Sequence, residues 1–184
     1  LTFEWKAGKD GEHHEVKTQL IGEYNFANAL AAVTIGHFFD VESGKIDTAL
    51  KEYTPQNNRS QLKQTADNTL IIDAYNANPT SMQASISNFH NMEIDNKMLI
   101  SGDMRELGKD GPKEHQKIVD FLTECGFKDV MLVGEQFAAA RHDFPTYPDA
   151  PAVIEALQKN KPHGKTILIK GSNGIKLSTV IDYL

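Results

Sequence analysis

Little in this sequence is built to react on its own. Its 184 residues include one cysteine, Cys125. A lone thiol excludes a disulfide framework and points to a reducing compartment, the cytoplasm. Cys125 ends an amphipathic pattern, where a small buried hydrophobe is expected. No apolar run approaches the ~20 residues of a membrane-spanning helix, so no membrane partner is expected. The seven histidines are scattered, with no HxxxH or HExxH spacing, so no metal site is expected on this chain. No nucleophile elbow supports a Ser–His–Asp arrangement. The phosphate-cradling pattern GxxxxGK(S/T) is missing. Gly164-Lys165-Thr166 copies only its tail, because Lys159 stands where the first glycine belongs and a strand-like run follows. A net charge of -6 lacks the basic excess of a non-specific nucleic-acid binder. The opening LTFEWKAGKDGEHHEV is charged throughout and carries no signal-peptide pattern; it reads as the interior of a longer protein.

What is present is an ordinary globular composition, 40% hydrophobic and 24% charged. The length suits one domain, or one domain plus a piece of another. The chain is organised around residues 70–81, LIIDAYNANPTS. An apolar run stops at Asp73. A short polar turn follows, and then Pro79 opens a helical pattern with Met82, Ile86, Phe89 and Met92 on one face. Proline suits the first helical position, and Asn78 before it suits the N-cap. Ligands of open α/β sheets collect at the carboxyl ends of strands, where Asp73 is placed. The plainer alternative is that Asp73 and the asparagines only cap and turn. The turn nevertheless crowds more polar side chains than capping requires.

Residues 1–20 read as a β-hairpin turning at Lys9-Asp10-Gly11, with His13 and His14 on its surface. Helices are expected over 25–39 and over 43–53, the second capped by Ser43. Polar and turn-forming residues at 54–60 read as a linker, with a domain boundary near Pro55. From Gln61 the pattern becomes α/β. A hairpin turns at Asp67-Asn68. Helix 79–93, strand 97–101, helix 112–125, strand 128–133 and a short helix 135–141 follow. A weak strand 143–147, helix 149–160, strand 165–170 and helix 175–184 complete the chain. The continuous apolar runs LII, MLI, VMLV and ILI suit strands buried on both faces of a Rossmann-like, mostly parallel sheet with helices on both sides. Asp73 and Asp103 each end a strand, and neighbouring parallel strands would bring them together. Lys170-Gly171-Ser172-Asn173-Gly174 follows a strand and opens a helix, so its amides could receive an anion, or it is a plain turn. Arg59 is a surface residue or a cation that reaches a phosphate or ribose between domains.

Three stretches carry a resemblance: GEYNFANALAA at 22–32, DAYNANPTS at 73–81 and GDMRELG at 102–108. Together, and in this order, they resemble the Mur ligases, and most closely the branch that adds D-alanyl-D-alanine to UDP-N-acetylmuramoyl-tripeptide. The resemblance implies that 1–55 is the tail of a central ATPase domain, a small α+β remnant, and that 56–184 is the C-terminal Rossmann-like domain. The missing P-loop would then lie on a part of the protein outside this chain, and the fragment alone would be inactive. The family's reaction uses ATP and Mg2+ and passes through an acyl phosphate in peptidoglycan precursor synthesis; a monomer is expected. Residue by residue, the resemblance implies that Asn28 lies beside adenine, that Arg59 contacts the nucleotide, and that Asp73 holds the ribose. It implies that Asn76, Asn78 and Ser81 face substrate. Many relatives have His where Tyr24 stands, so the resemblance carries no role over to position 24. The other reading is a binding module, an α/β domain that takes a nucleotide or a partner without chemistry of its own.

Overall fold

The apolar runs become the interior strands of one sheet. The computed structural model describes residues 1–9, 11–56 and 58–184. It divides into two compact units, Leu1–Gln56 and Asn57–Leu184.

In the first unit β1 (Thr2–Trp5) pairs antiparallel with β2 (His14–Lys17), and α1 (Phe26–Phe38) and α2 (Ser43–Glu52) follow. The turn expected at Lys9-Asp10-Gly11 includes Asp10, which lies outside the described residues. Alternation puts Phe3, Trp5 and Val16 inside, against Ala29, Val33 and Ile46. His14 is not a surface residue. Its ring stacks on Trp5 at 4.5 Å, and its Nδ1 lies 2.8 Å from Asp47 Oδ2, while Trp5 Nε1 donates to Asp47 Oδ1 at 2.8 Å. Hairpin pairing places Trp5 opposite His14, and that juxtaposition is invisible in the order of residues. His13, on the other face, is exposed as expected. The second helix is capped by Glu42 rather than Ser43, with no side-chain bond to the helix start.

In the second unit a six-stranded sheet runs β3-β4-β8-β5-β6-β7. Its members are β3 (Gln61–Gln64), β4 (Thr69–Asp73), β5 (Lys97–Gly102), β6 (Val130–Val133), β7 (Thr146–Tyr147) and β8 (Thr166–Lys170). Only β3 pairs antiparallel, through the expected hairpin; the other neighbours are parallel. Between the strands lie α3 (Pro79–Asn91), α4 (Gly111–Glu124), α5 (Glu135–Ala139) and α6 (Ala150–Lys159). On one face Ile72, Ile100 and Ile169 pack with Val153 and Leu157 of α6 and with Leu177 and Val180. The alternate residues Ile71, Leu99 and Leu168 are equally buried and point the other way, to the side where right-handed crossovers place α3, α4 and α5.

Three expectations are corrected here. The last segment is not an α-helix but two 3-10 stretches, Asn173–Ile175 and Leu177–Tyr183, interrupted by Lys176 at φ 59°. The consecutive β-branched Thr179, Val180 and Ile181 disfavour the wider helix, and the tighter one stacks Leu177 and Val180 toward the sheet. Cys125 follows the end of α4 half-buried rather than buried; burial, and then the neighbouring Glu124, push its thiol pKa up. Asp73 and Asp103 are not on neighbouring strands, because β8 runs between β4 and β5.

Candidate functional site

The chain leaves β8 on the face of α6, whereas it leaves β4 and β5 toward α3 and α4. Diverging exits open a crevice at the carboxyl ends of the strands. Asp73 is the last residue of β4, Lys170 is the last of β8, and the two are register partners. Lys170 Nζ donates to Asp73 Oδ2 at 2.6 Å. The Lys170 side chain is 1% exposed and that of Asp73 15%, so the carboxylate reaches the rim and the ammonium does not. A charge-assisted bond of this length is among the stronger kinds. Sequence reasoning found Asp73 and missed Lys170. The available signal was a lysine closing the apolar run TILIK, a position buried on both faces that admits a charge only with a partner.

Beyond Asp73 the turn is built by its own side chains. Ala74 and Ala77 are buried and pin it to the sheet. Tyr75 stands exposed, and the Arg59 guanidinium lies over its ring, 3.9 Å from the centroid. Asn76 Oδ1 accepts from the Ala77 amide at 2.9 Å. Asn78 Oδ1 accepts from the Ser81 amide at 2.8 Å, and Ser81 Oγ accepts from the Asn78 amide at 3.1 Å. This is a reciprocal capping box, and it starts α3 at Pro79 as the sequence predicts. The asparagines commit their oxygens to the backbone, and their NH2 groups are the ends that could meet a ligand. Asn28, on α1 of the first unit, is exposed and donates to Asn25 Oδ1 at 3.1 Å.

Asp103 has a different task from Asp73. Its Oδ2 accepts from the Gln136 amide and its Oδ1 from the Phe137 amide, each at 3.0 Å. It thereby caps α5. The approach is so close that a Cβ on Gly134 would lie 2.3 Å from the Asp103 carboxyl, and Gly134 sits at φ 120°. Gly134→Ala is therefore expected to cost about 3 kcal/mol or more from backbone strain and the clash together. Chemical denaturation measures this, and a loss under ~1 kcal/mol would contradict the geometry.

The loop after Asp103 is tied down from both sides. Buried His115 accepts the Met104 amide on Nε2 at 3.0 Å; its Nδ1 then donates to the Gly111 carbonyl at 2.7 Å. Ser172 Oγ accepts from the Arg105 amide at 2.9 Å, and the Ser172 amide donates to the Asp103 carbonyl at 3.3 Å. The stretch 170–174 is thus a tight turn into a 3-10 helix that anchors this loop. It is not the start of an α-helix whose amides await an anion. The loop walls a cavity of about 650 Å³ shared with Gly134, Gln136 and Ile175.

An α/β sheet with a carboxylate at its rim is common to many activities, and the comparisons with known proteins narrow it. Residues 58–173 match the family described as Mur ligase, glutamate ligase domain. The chain belongs to the Mur ligase family. A Bacillus subtilis relative, UDP-N-acetylmuramoyl-tripeptide–D-alanyl-D-alanine ligase, is 29% identical over 191 residues, which cover 94% of this chain and 42% of the relative. Among solved structures, MurF from Acinetobacter baumannii superposes with a TM-score of 0.82 at 26% identity, covering 98% of this chain and 41% of that one. MurF ligase from Thermotoga maritima in complex with ADP superposes with a TM-score of 0.79 at 18% identity, covering 99% and 42%; that likeness is of fold alone. The chain thus spans about 40% of the length of the Mur ligases it matches. The expected Rossmann-like, mostly parallel sheet is the one observed, and it matches the C-terminal domain of the family. Among the described residues no helix is long and apolar enough to cross a membrane, and no three His, Cys, Asp or Glu side chains gather to hold a metal ion.

Proposed function

We propose that this chain is the C-terminal part of an ATP-dependent ligase. The enzyme would join D-alanyl-D-alanine to UDP-N-acetylmuramoyl-tripeptide in the cytoplasm, as a monomer. The observation that carries the reading is Asp73. It stands at the rim of β4, in a turn whose sequence resembles that of the D-alanyl-D-alanine-adding branch, within a chain that matches such ligases over nearly its whole length. Residues 1–55 would be the tail of the central ATPase domain and 56–184 the C-terminal domain.

In this reading ATP phosphorylates the terminal carboxylate of the muramoyl peptide. The dipeptide amine attacks the acyl phosphate, an amide forms, and phosphate leaves. Catalysis of that kind is positioning plus electrostatic stabilisation. This chain supplies positioning. The Asp73 carboxylate accepts from ribose hydroxyls. Arg59, stacked on Tyr75, brings a cation to the nucleotide. Asn28 serves the adenine side. The NH2 groups of Asn76 and Asn78, with the Ser81 hydroxyl, face substrate across the capped start of α3, whose N-terminal end favours anions. Mg2+ would enter with the nucleotide, and no residue here is assigned to it.

The test is ADP release by the full-length protein with ATP, Mg2+, UDP-N-acetylmuramoyl-tripeptide and D-alanyl-D-alanine. Dipeptide-dependent turnover is expected, with at least a tenfold drop in Asp73→Ala, ~1.4 kcal/mol of transition-state stabilisation. Turnover untouched by the substitution would keep the ligase and return Asp73 to a turn residue. No turnover with any muramoyl peptide would leave a binding module as the better account. The 184-residue chain alone is expected to be inactive and to hold ATP no tighter than about millimolar.

A further inference from the structure

Lys170 is a fully buried ammonium to which the reaction above gives no task. Lysine is almost never fully buried unless paired, and a buried ion pair is a poor device for stability. An apolar pair of similar volume serves the sheet as well or better. Such an apolar pair could not hold a carboxylate at the rim.

Three strands share one row of residues at their carboxyl ends. Asp73 of β4 is in register with Lys170 of β8, and Lys170 with Ser101 of β5. Each follows an isoleucine that points to the α6 face, so all three side chains leave on the opposite face. Ser101 is wholly buried, and its Oγ is, among the described residues, the buried side-chain polar atom without a hydrogen-bond partner. An ammonium has three N–H donors, and Asp73 takes one of them. Ser101 belongs to the strand next to Lys170, and the two backbones are one strand spacing apart, ~4.8 Å. In this row the ammonium is bonded to Asp73, and the Ser101 hydroxyl is left unpaired beneath the rim.

We propose that Lys170 is a positioning residue for the nucleotide side of this site: bonded to Oδ2 alone, it fixes the Asp73 carboxylate so that Oδ1 is presented to a ligand hydroxyl. At 1% exposure the ammonium cannot reach a ligand itself and acts through Asp73. It also offsets the carboxylate charge, which would otherwise oppose the phosphates of an approaching nucleotide. This inference rests on the reading of Asp73 as a nucleotide contact.

The test compares Lys170→Met, Asp73→Asn and the double variant in the full-length ligase, with a crystal structure of Lys170→Met. Lys170→Met is expected to turn the Asp73 carboxylate out of its present orientation. It should raise the KM for ATP about tenfold, while the KM for UDP-N-acetylmuramoyl-tripeptide stays within about twofold. In the Asp73→Asn background it should add nothing further to the KM for ATP. A carboxylate that stays in place in Lys170→Met, or two effects that multiply, would overturn the positioning role. An Asp73→Asn enzyme with unchanged KM for ATP would sink the nucleotide reading, and the positioning role with it. Should Lys170→Met fail to fold, Lys170→Gln, which keeps an N–H donor in the same space, is expected to hold the KM for ATP within about twofold of the unsubstituted enzyme, and a rise of about tenfold would overturn the role.

Discussion

Lys170→Met is expected to lower the unfolding free energy by about 3–5 kcal/mol, because it strands a carboxylate that the fold holds against a buried partner. The 15% exposure of Asp73 lets water take up part of that charge, which places the loss toward the lower end. The companion result is more diagnostic. Asp73→Asn combined with Lys170→Met removes both charges, and most of the loss is expected to return. Urea midpoints at constant slope measure all three variants. If the double variant is as unstable as the sum of the singles, the lysine is needed for packing rather than for its charge. A domain with ordinary stability of 5–15 kcal/mol tolerates the single change in the cold, which keeps the enzyme assays accessible.

Phe137→Ala is the second large expected loss, about 3–5 kcal/mol. The ring is wholly buried and meets the His115 ring edge-on at 4.7 Å. Its amide is one of the two that Asp103 caps. The helix it belongs to, Glu135–Ala139, has five residues and is too short to persist without packing. Deleting the ring should therefore empty a cavity and also release the helix start. The amides of Gln136 and Met104 are expected to lose hydrogen-exchange protection together, since Asp103 and His115 hold them from the two sides of Phe137. A loss under ~1 kcal/mol, or Met104 protection unchanged, would show that the loop is held without this contact.

Local patterns carried far in this chain because local rules govern them. Asn78, Pro79 and Ser81 start a helix through bonds spanning three residues, and the sequence places that start correctly. The runs LII, MLI and ILI name the strands, since burial on both faces leaves no alternation to misread. Errors gathered where distant residues decide. Nothing near His14 in the chain announces Asp47 or the Trp5 ring, so the sequence alone leaves it on the surface. The apolar spacing at the end of the chain suits either helix, and the tighter one follows from the β-branched run 179–181 together with the sheet beneath it.

The same division runs through the candidate site. Residues 73–81 alone set the strand end, the polar turn and the helix cap, and carry one of the three motifs of the family resemblance, because each of these depends on neighbours within a few residues. The sequence could not set strand order. Inserting β8 between β4 and β5 separates Asp73 from Asp103 and gives Asp73 a lysine 97 positions away. It also frees Asp103 to cap α5. Strand order is fixed by which faces must be covered after the chain returns from β7, a property of the whole sheet. So the chain by itself determined which residues stand at the rim, and only the tertiary structure decided which of them face each other.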